Sequence, residues 1–188
     1  MFAVRSYFAT AAKATSSQES KVAKMHKLYN SQITNELSAS QLYLAASIWC
    51  DEQELTGMAS FTRAESSEER DHALNMIDFA LKRDMPLKLE ALDAPDANWE
   101  SVEGLFSDLL EAEKSNSQAL YMLADAAQAS HDHAVTTFLM PFHSEQVDSE
   151  ANLKTLLAKV REERQIPGLI RQLDYQLGSE ARGRNNGM

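Results

Sequence analysis

Apolar and small residues along the chain recur at spacings of three and four, the period that places them on one face of a helix. From about Ser20 to Cys50 this pattern brings Tyr29, Ile33, Ser40, Tyr43 and Ser47 onto one side and predicts a first helix. A short break from Asp51 to Leu55 follows, and Thr56 suits the N-cap of a second helix that ends near Asp84, ahead of Pro86. The two should lie antiparallel. A third periodic run extends from about Ser101 to Ser130, and a fourth from about Asp132 to Arg164, where the interior Pro141 is expected to introduce a kink. Pro167 fits a first helical position and Gly178 a C-terminal stop, which bounds a short fifth helix. No strand, internal repeat or second domain is needed.

The segment MPLKLEALDAPDANWE, between the second and third helices, contains Pro86 and Pro95 and holds no period. Its length decides the topology. A helix of about 28 residues is roughly 42 Å long, and about 15 extended residues span roughly 50 Å. The connection can therefore travel the whole bundle and leave helices two and three parallel. The expected fold is all-α, a four-helix bundle with one long crossover and a short fifth helix.

Composition narrows the partners. The 188 residues, 44% of them hydrophobic, suffice for one substantial core. A formal net charge of -10 argues against binding nucleic acid or an anionic membrane and favours cations. Cys50 stands alone, so no internal disulfide or paired-cysteine site is available and the thiol reads as a small buried hydrophobe. No apolar run approaches the roughly 20 residues that a membrane helix needs, and a soluble protein is expected. Residues 1–20 hold Arg5 and Lys13 but no acid before Glu19, which predicts a transit segment for a plastid or mitochondrion, the alternative being a disordered start. Without such a segment the protein would be cytoplasmic. One helical domain is expected over residues 21–178, with a flexible tail at 179–188.

Each long helix carries an acid inside its apolar stripe. On the second helix Phe61, Glu65, Glu68, Glu69, His72, Met76 and Phe79 fall within about a third of the circumference at 100° per residue. The first helix places Glu36 between Ile33 and Ser40, the third places Glu113 among Leu109, Leu110 and Leu120, and the fourth places Glu145 among Phe138, Phe142 and Leu156, with Gln146 at the edge. A buried carboxylate without a partner costs several kcal/mol, so four in mid-bundle call for cations or protons. Oxygen donors joined by one imidazole, His72, suit iron or manganese better than structural zinc or copper. Bundle-core carboxylate sites of this kind typically hold two metals. Tyr43 lies seven residues from Glu36 on the same face and reads equally as a core aromatic or as a group beside the metals. His131, Asp132 and His133 read as a capped, solvated helix start, with a mouth for ions as the second reading.

With these residues placed, the chain resembles the ferritins from Met25 to about Gly178, through NELSASQLYLAASIW, AESSEERDHA, EAEKSNSQAL and FHSEQVD in order. The resemblance implies a ferritin-like fold in which Glu36, Glu69 and His72 hold one iron. Glu69 bridges to a second iron, which Glu113 serves with Glu145 or Gln146. Tyr43 takes the place of the tyrosine beside the diiron centre. It further implies a ferroxidase that oxidises Fe(II) with dioxygen or peroxide and stores Fe(III) as a mineral inside an octahedral homo-oligomeric shell, a 24-subunit cage.

Departures from the family refine that expectation. The fourth helix reads Glu145-Gln146-Val147-Asp148, without the second histidine of bacterioferritins, and their haem-ligating methionine falls at Arg70, so no haem is expected. Acids of animal threefold channels match Thr136 and Leu139. A third iron site would draw on Glu65 and Glu68, and Glu65 is expected to receive iron in transit. The alternative functions are a diiron peroxidase that builds no mineral, a shell subunit with a defective centre, and a DNA-protecting miniferritin.

Overall fold

The computed structural model describes residues 2–162 and 168–185, with side-chain surroundings for 17–162 and 168–180. It forms α1 (Phe2–Glu52), α2 (Thr56–Lys82), α3 (Val102–Ala129), α4 (His133–Glu162) and α5 (Leu169–Asn185), with no strand among the described residues. Cross-helix bonds fix the directions. Along α1 and α2, Asp51 meets Arg63, Ser40 meets Ser66 and Tyr29 meets Met76, a descending series that makes the pair antiparallel. Glu103 meets Arg161 and Ser117 meets Glu150, so α3 and α4 are antiparallel too. Gln32 and Asn116 join α1 to α3.

Helices α2 and α3 are consequently parallel, as the length of the connection predicts. The crossover is pinned to α1 at two points, its middle and its C-terminal end: Asn30 donates to the Pro86 carbonyl at 2.8 Å, and Trp49 donates from Nε1 to the Trp99 carbonyl at 2.9 Å. Asn30 and Trp49 are nineteen residues apart in sequence, about 28 Å along the helix axis. The loop therefore runs down the outside of α1.

Several boundaries differ from those expected, each for a local reason. Helix α1 begins at Phe2 and not near Ser20. Thr56 is the first residue of α2, and its N-cap position is held by Leu55, which has no side-chain acceptor. The missing acceptor comes from α5, where Asp174 Oδ1 takes the Met58 N–H at 2.7 Å. Gly178 does not stop α5, which continues to Asn185, and Gly178 is instead buried where α5 crosses the start of α2. The crossing is close enough that a Cβ on Gly57 would lie 1.8 Å from the Asp174 carbonyl oxygen, so only glycine fits. Helix α4 runs through Pro141 and is described to Glu162, and residues 163–167, with Pro167, lie outside the described residues. Ser101 caps α3 by accepting from the Gly104 N–H at 3.1 Å, and Asp132 caps α4 by accepting from Val135 at 3.0 Å. Arg83 bonds the same Asp132 oxygen at 2.7 Å, so Asp132 serves both as the cap of α4 and as the partner of Arg83.

The core has two apolar halves. One gathers Cys50, Met58, Phe106, Leu109, Leu153 and Leu173 around the α5 end, and burial pushes the Cys50 thiol up to about 12. The other gathers Met25, Tyr29, Ile33, Met76, Leu123 and Leu139 at the opposite end. Between them lies a belt of buried polar side chains from all four long helices: Gln32, Glu36, Ser66, Glu69, Glu113, Asn116, Ser117 and Gln146. A belt like this costs stability unless each group finds a partner.

Candidate metal centre

Glu36 on α1 and Glu69 on α2 are 1% and 6% exposed, and His72 stands one turn beyond Glu69. One ligand atom from each of the three lies within 4.8 Å of the others. His72 Nδ1 is 3.7 Å from Glu36 Oε2 and 3.6 Å from Glu69 Oε2, ion-pair distances too long for hydrogen bonds. Both Oε2 atoms are buried without a hydrogen-bond partner. Native structures rarely leave such atoms bare, and a bound cation is one of the standard explanations.

The neighbouring groups are satisfied. Glu36 Oε1 accepts from Gln32 Nε2 at 2.6 Å. Glu113, on α3, accepts from the Tyr43 hydroxyl at 2.5 Å and, through its other carboxylate oxygen, from the Gln146 amide. The same amide also bonds the Glu113 carbonyl at 3.0 Å. Ser40 Oγ donates to the Ser66 carbonyl at 2.7 Å and Ser66 Oγ to the Ser40 carbonyl at 2.8 Å, a reciprocal pair that sets the spacing of α1 and α2 one turn from Glu36 and Glu69.

Electrostatics follow from three acids and one imidazole. Burial pushes Glu69 up to about 9, with the Glu36 charge adding to the effect against the pull of His72. Burial also raises Glu113, against the Tyr43 and Gln146 hydrogen bonds. For Glu36 burial acts upward too, but His72, Glu69 and Gln32 together outweigh it and hold the carboxyl below its usual range. Burial alone would lower His72, but Glu36 and Glu69 raise it to about 11. In the metal-free cluster these influences favour the charged forms of Glu36 and His72 and the neutral form of Glu69. A divalent cation entering it displaces protons from His72 and Glu69.

The sequence-predicted residues do not all fall in one place. Glu36, Glu69 and His72 converge, and Glu113 joins them through its charge on Glu69 and Glu36. Tyr43 is 2% exposed and touches Glu113, and burial drives its phenol well above the usual range. Glu65 is half-buried one turn before Glu69, near enough for its charge to add to that rise. Glu68 is exposed. The two fourth-helix candidates part company. Gln146 is buried on Glu113, whereas Glu145 has a side chain 52% exposed and reaches His72 Nε2 at 3.1 Å, so it stands at the rim and not inside the apolar stripe. Gln32 and Asn116 escaped the sequence reading. Both lie on predicted core faces, four residues before Glu36 and three after Glu113, so the helical period alone could have singled them out.

A four-helix bundle whose inward carboxylates and one histidine surround bare, buried oxygens defines the class of bundle-core carboxylate metal proteins. Comparison with known proteins places the chain within it. The ferritin-like domain profile of the ferritin family matches residues 26–162, and the chain belongs to that family. It is 32% identical to the bacterial non-heme ferritin of Bacteroides fragilis over 155 residues, 82% of this chain and 96% of that one. It is 35% identical to the bacterial non-heme ferritin-like protein of Escherichia coli K12 over 132 residues, 70% of this chain and 79% of the other. Among solved structures it is similar to apo-ferritin from Pseudo-nitzschia multiseries, at 47% identity and a TM-score of 0.78, covering 80% of this chain and 96% of that one. An iron-soaked PmFTN variant matches at 46% identity and a TM-score of 0.79, with 81% and 97% covered.

Proposed function

We propose that the protein is a ferroxidase and iron store: it binds Fe(II) as substrate at a pair of adjacent sites within each subunit, oxidises it, and passes Fe(III) to a mineral inside a closed homo-oligomeric shell. The observation that carries this reading is the pair of partnerless, buried Oε2 atoms of Glu36 and Glu69 beside His72 Nδ1. Glu36, Glu69 and His72 supply the first site, and Glu69 with Glu113 the second. Iron is the cation favoured by the hard oxygen set with one nitrogen, and a solved relative of the same fold has been soaked in iron.

The residues account for the chemistry. Carboxylates stabilise the higher charge of Fe(III) more than that of Fe(II) and so favour loss of an electron from each ion. A pair of Fe(II) ions delivers two electrons to one oxidant: dioxygen and two protons become hydrogen peroxide, or hydrogen peroxide and two protons become two waters. Protons leaving His72 and Glu69 as the cations bind are available for that reduction. Tyr43, bonded to Glu113, stands beside the second site as a redox-active phenol. Glu65 receives iron in transit, one turn from the bridging carboxylate. The absence of any acid before Glu19 favours delivery to a plastid or mitochondrion.

Stopped-flow absorbance after adding about two Fe(II) per subunit in air tests the centre. Fast oxidation in the wild type that vanishes in Glu69→Ala is expected. Equal, slow oxidation in both would overturn it. Iron retained per shell after repeated additions then separates a store from a peroxidase that builds no mineral.

A further inference from the structure

Two neutral side chains lie as deep in the polar belt as the carboxylates do. Gln32 is 1% exposed and Asn116 is 7% exposed. Neither can neutralise a charge, and a hydrophobe at either position would avoid the desolvation of an amide. Their contacts are one-sided. Gln32 Nε2 donates to Glu36 Oε1 at 2.6 Å, and Asn116 Nδ2 reaches the same atom at 3.5 Å. No hydrogen-bond donor reaches Glu36 Oε2.

Gln32 is held in turn. Its Nε2 also donates to Asn116 Oδ1 at 2.5 Å, and its Oε1 accepts from Asn35 Nδ2 at 3.4 Å. Asn116 lies three residues beyond Glu113 on α3, so this amide pair ties the α1 ligand to the helix that carries Glu113.

A carboxylate can hold a metal through one oxygen or both. We propose that Gln32, steadied by Asn116, is a positioning residue that occupies Glu36 Oε1, so that Glu36 gives Fe(II) only Oε2. Binding through both oxygens would require Oε1 to turn from its charge-assisted donor, and that bond is among the stronger ones in a protein interior. The consequence is a coordination position kept open on the first iron, where dioxygen can approach. The clamp thus acts on the reactivity of the bound ion and not on how tightly it is held.

The proposal rests on the ferroxidase reading of the cluster, and the test separates the two. Crystals of the assembled wild-type protein and of Gln32→Met, both loaded with Zn(II), show how Glu36 binds. Anaerobic Co(II) titration measures affinity, and stopped-flow with dioxygen measures Fe(II) oxidation. Gln32→Met keeps the length of the side chain and removes its donors. The expected result is a single Glu36 oxygen on the metal in the wild type and both oxygens in the variant. Co(II) affinity should stay within about threefold while oxidation slows about 10-fold, the usual range for losing an outer-shell partner. Asn116→Leu, which leaves the direct Gln32 bond in place, should shift both readouts the same way by less, and it decides the matter if Gln32→Met fails to assemble. Glu36 bound through both oxygens in the wild type, or affinity and rate falling together in the variants, would overturn the clamp and leave the ferroxidase standing. No metal beside Glu36 in the wild type would overturn both.

Discussion

The metal cluster has two walls, and they are built differently. On the α1/α3 side Gln32, Glu36, Tyr43, Glu113 and Asn116 are all 7% exposed or less and joined by short neutral or charge-assisted hydrogen bonds. On the α2/α4 side Glu69 and Gln146 are buried, but His72 is 19% exposed, Glu145 is 52% exposed, and a cavity of about 630 Å³ reaches these two past Glu68, Asp71, Asp78 and Phe142. The groove on the outside of the first wall is smaller, about 220 Å³, and lined by neutral side chains such as Ser38, Ala39 and Ser115. Rigid, saturated donors fix where an ion sits. An open acidic approach concentrates cations and lets them come and go. On the proposed ferroxidase reading, the first wall would set geometry and the second would handle traffic.

That division can be broken by experiment. After the loss expected for Glu69→Ala, the largest effect is expected for Glu36→Gln, on the closed wall, which should slow fast Fe(II) oxidation about 100-fold in stopped-flow; a loss no greater than that of the rim variant Glu145→Gln would end the distinction. Next comes pH. Glu69 is raised from 4.5 to about 9 and His72 from 6.5 to about 11, so the folded metal-free protein holds more protons than the unfolded chain wherever these windows overlap. Stability contributed by a raised group is complete below its unfolded value and is lost as pH climbs toward its folded one. The melting temperature of the metal-free protein should therefore fall from pH 6.5 to pH 9. Zn(II) loading, which replaces those protons, should flatten the slope.

Smaller effects sharpen the picture. Ser40→Ala or Ser66→Ala should each lower stability by about 1 kcal/mol in denaturant unfolding, because each removes one part-buried inter-helix hydrogen bond from the α1/α2 seam. The smallest is Glu145→Gln. Its exposed contact with His72 is worth little in water, so oxidation should slow by no more than about threefold and salt should erase the difference.

Much of this arrangement was legible in the chain. The parallel course of α2 and α3 followed from loop length alone, and Glu36, Glu69, His72 and Glu113 stood out because acids inside apolar stripes demand compensation. What stayed hidden depends on angles finer than a helical projection. Glu145 and Gln146 are adjacent, 100° apart on the helix, and only the packed bundle shows that Gln146 faces Glu113 while Glu145 faces outward. Gly178 looked like a helix stop because glycine usually serves there, yet tertiary contact with the start of α2 overrode the local preference. Gln32 and Asn116 were passed over because uncharged polar residues raise no electrostatic alarm.

The bond from Met58 to Asp174 has a further implication for biosynthesis. The second helix is made early and its companion acceptor very late, since 116 positions separate them. A nascent chain still threaded through the ribosome can collapse its α1/α2 hairpin, but the first turn of α2 keeps an unanswered amide until α5 emerges. Closure of the first turn of α2 thereby waits on α5, and a chain truncated before residue 174 is expected to fray at the start of its second helix.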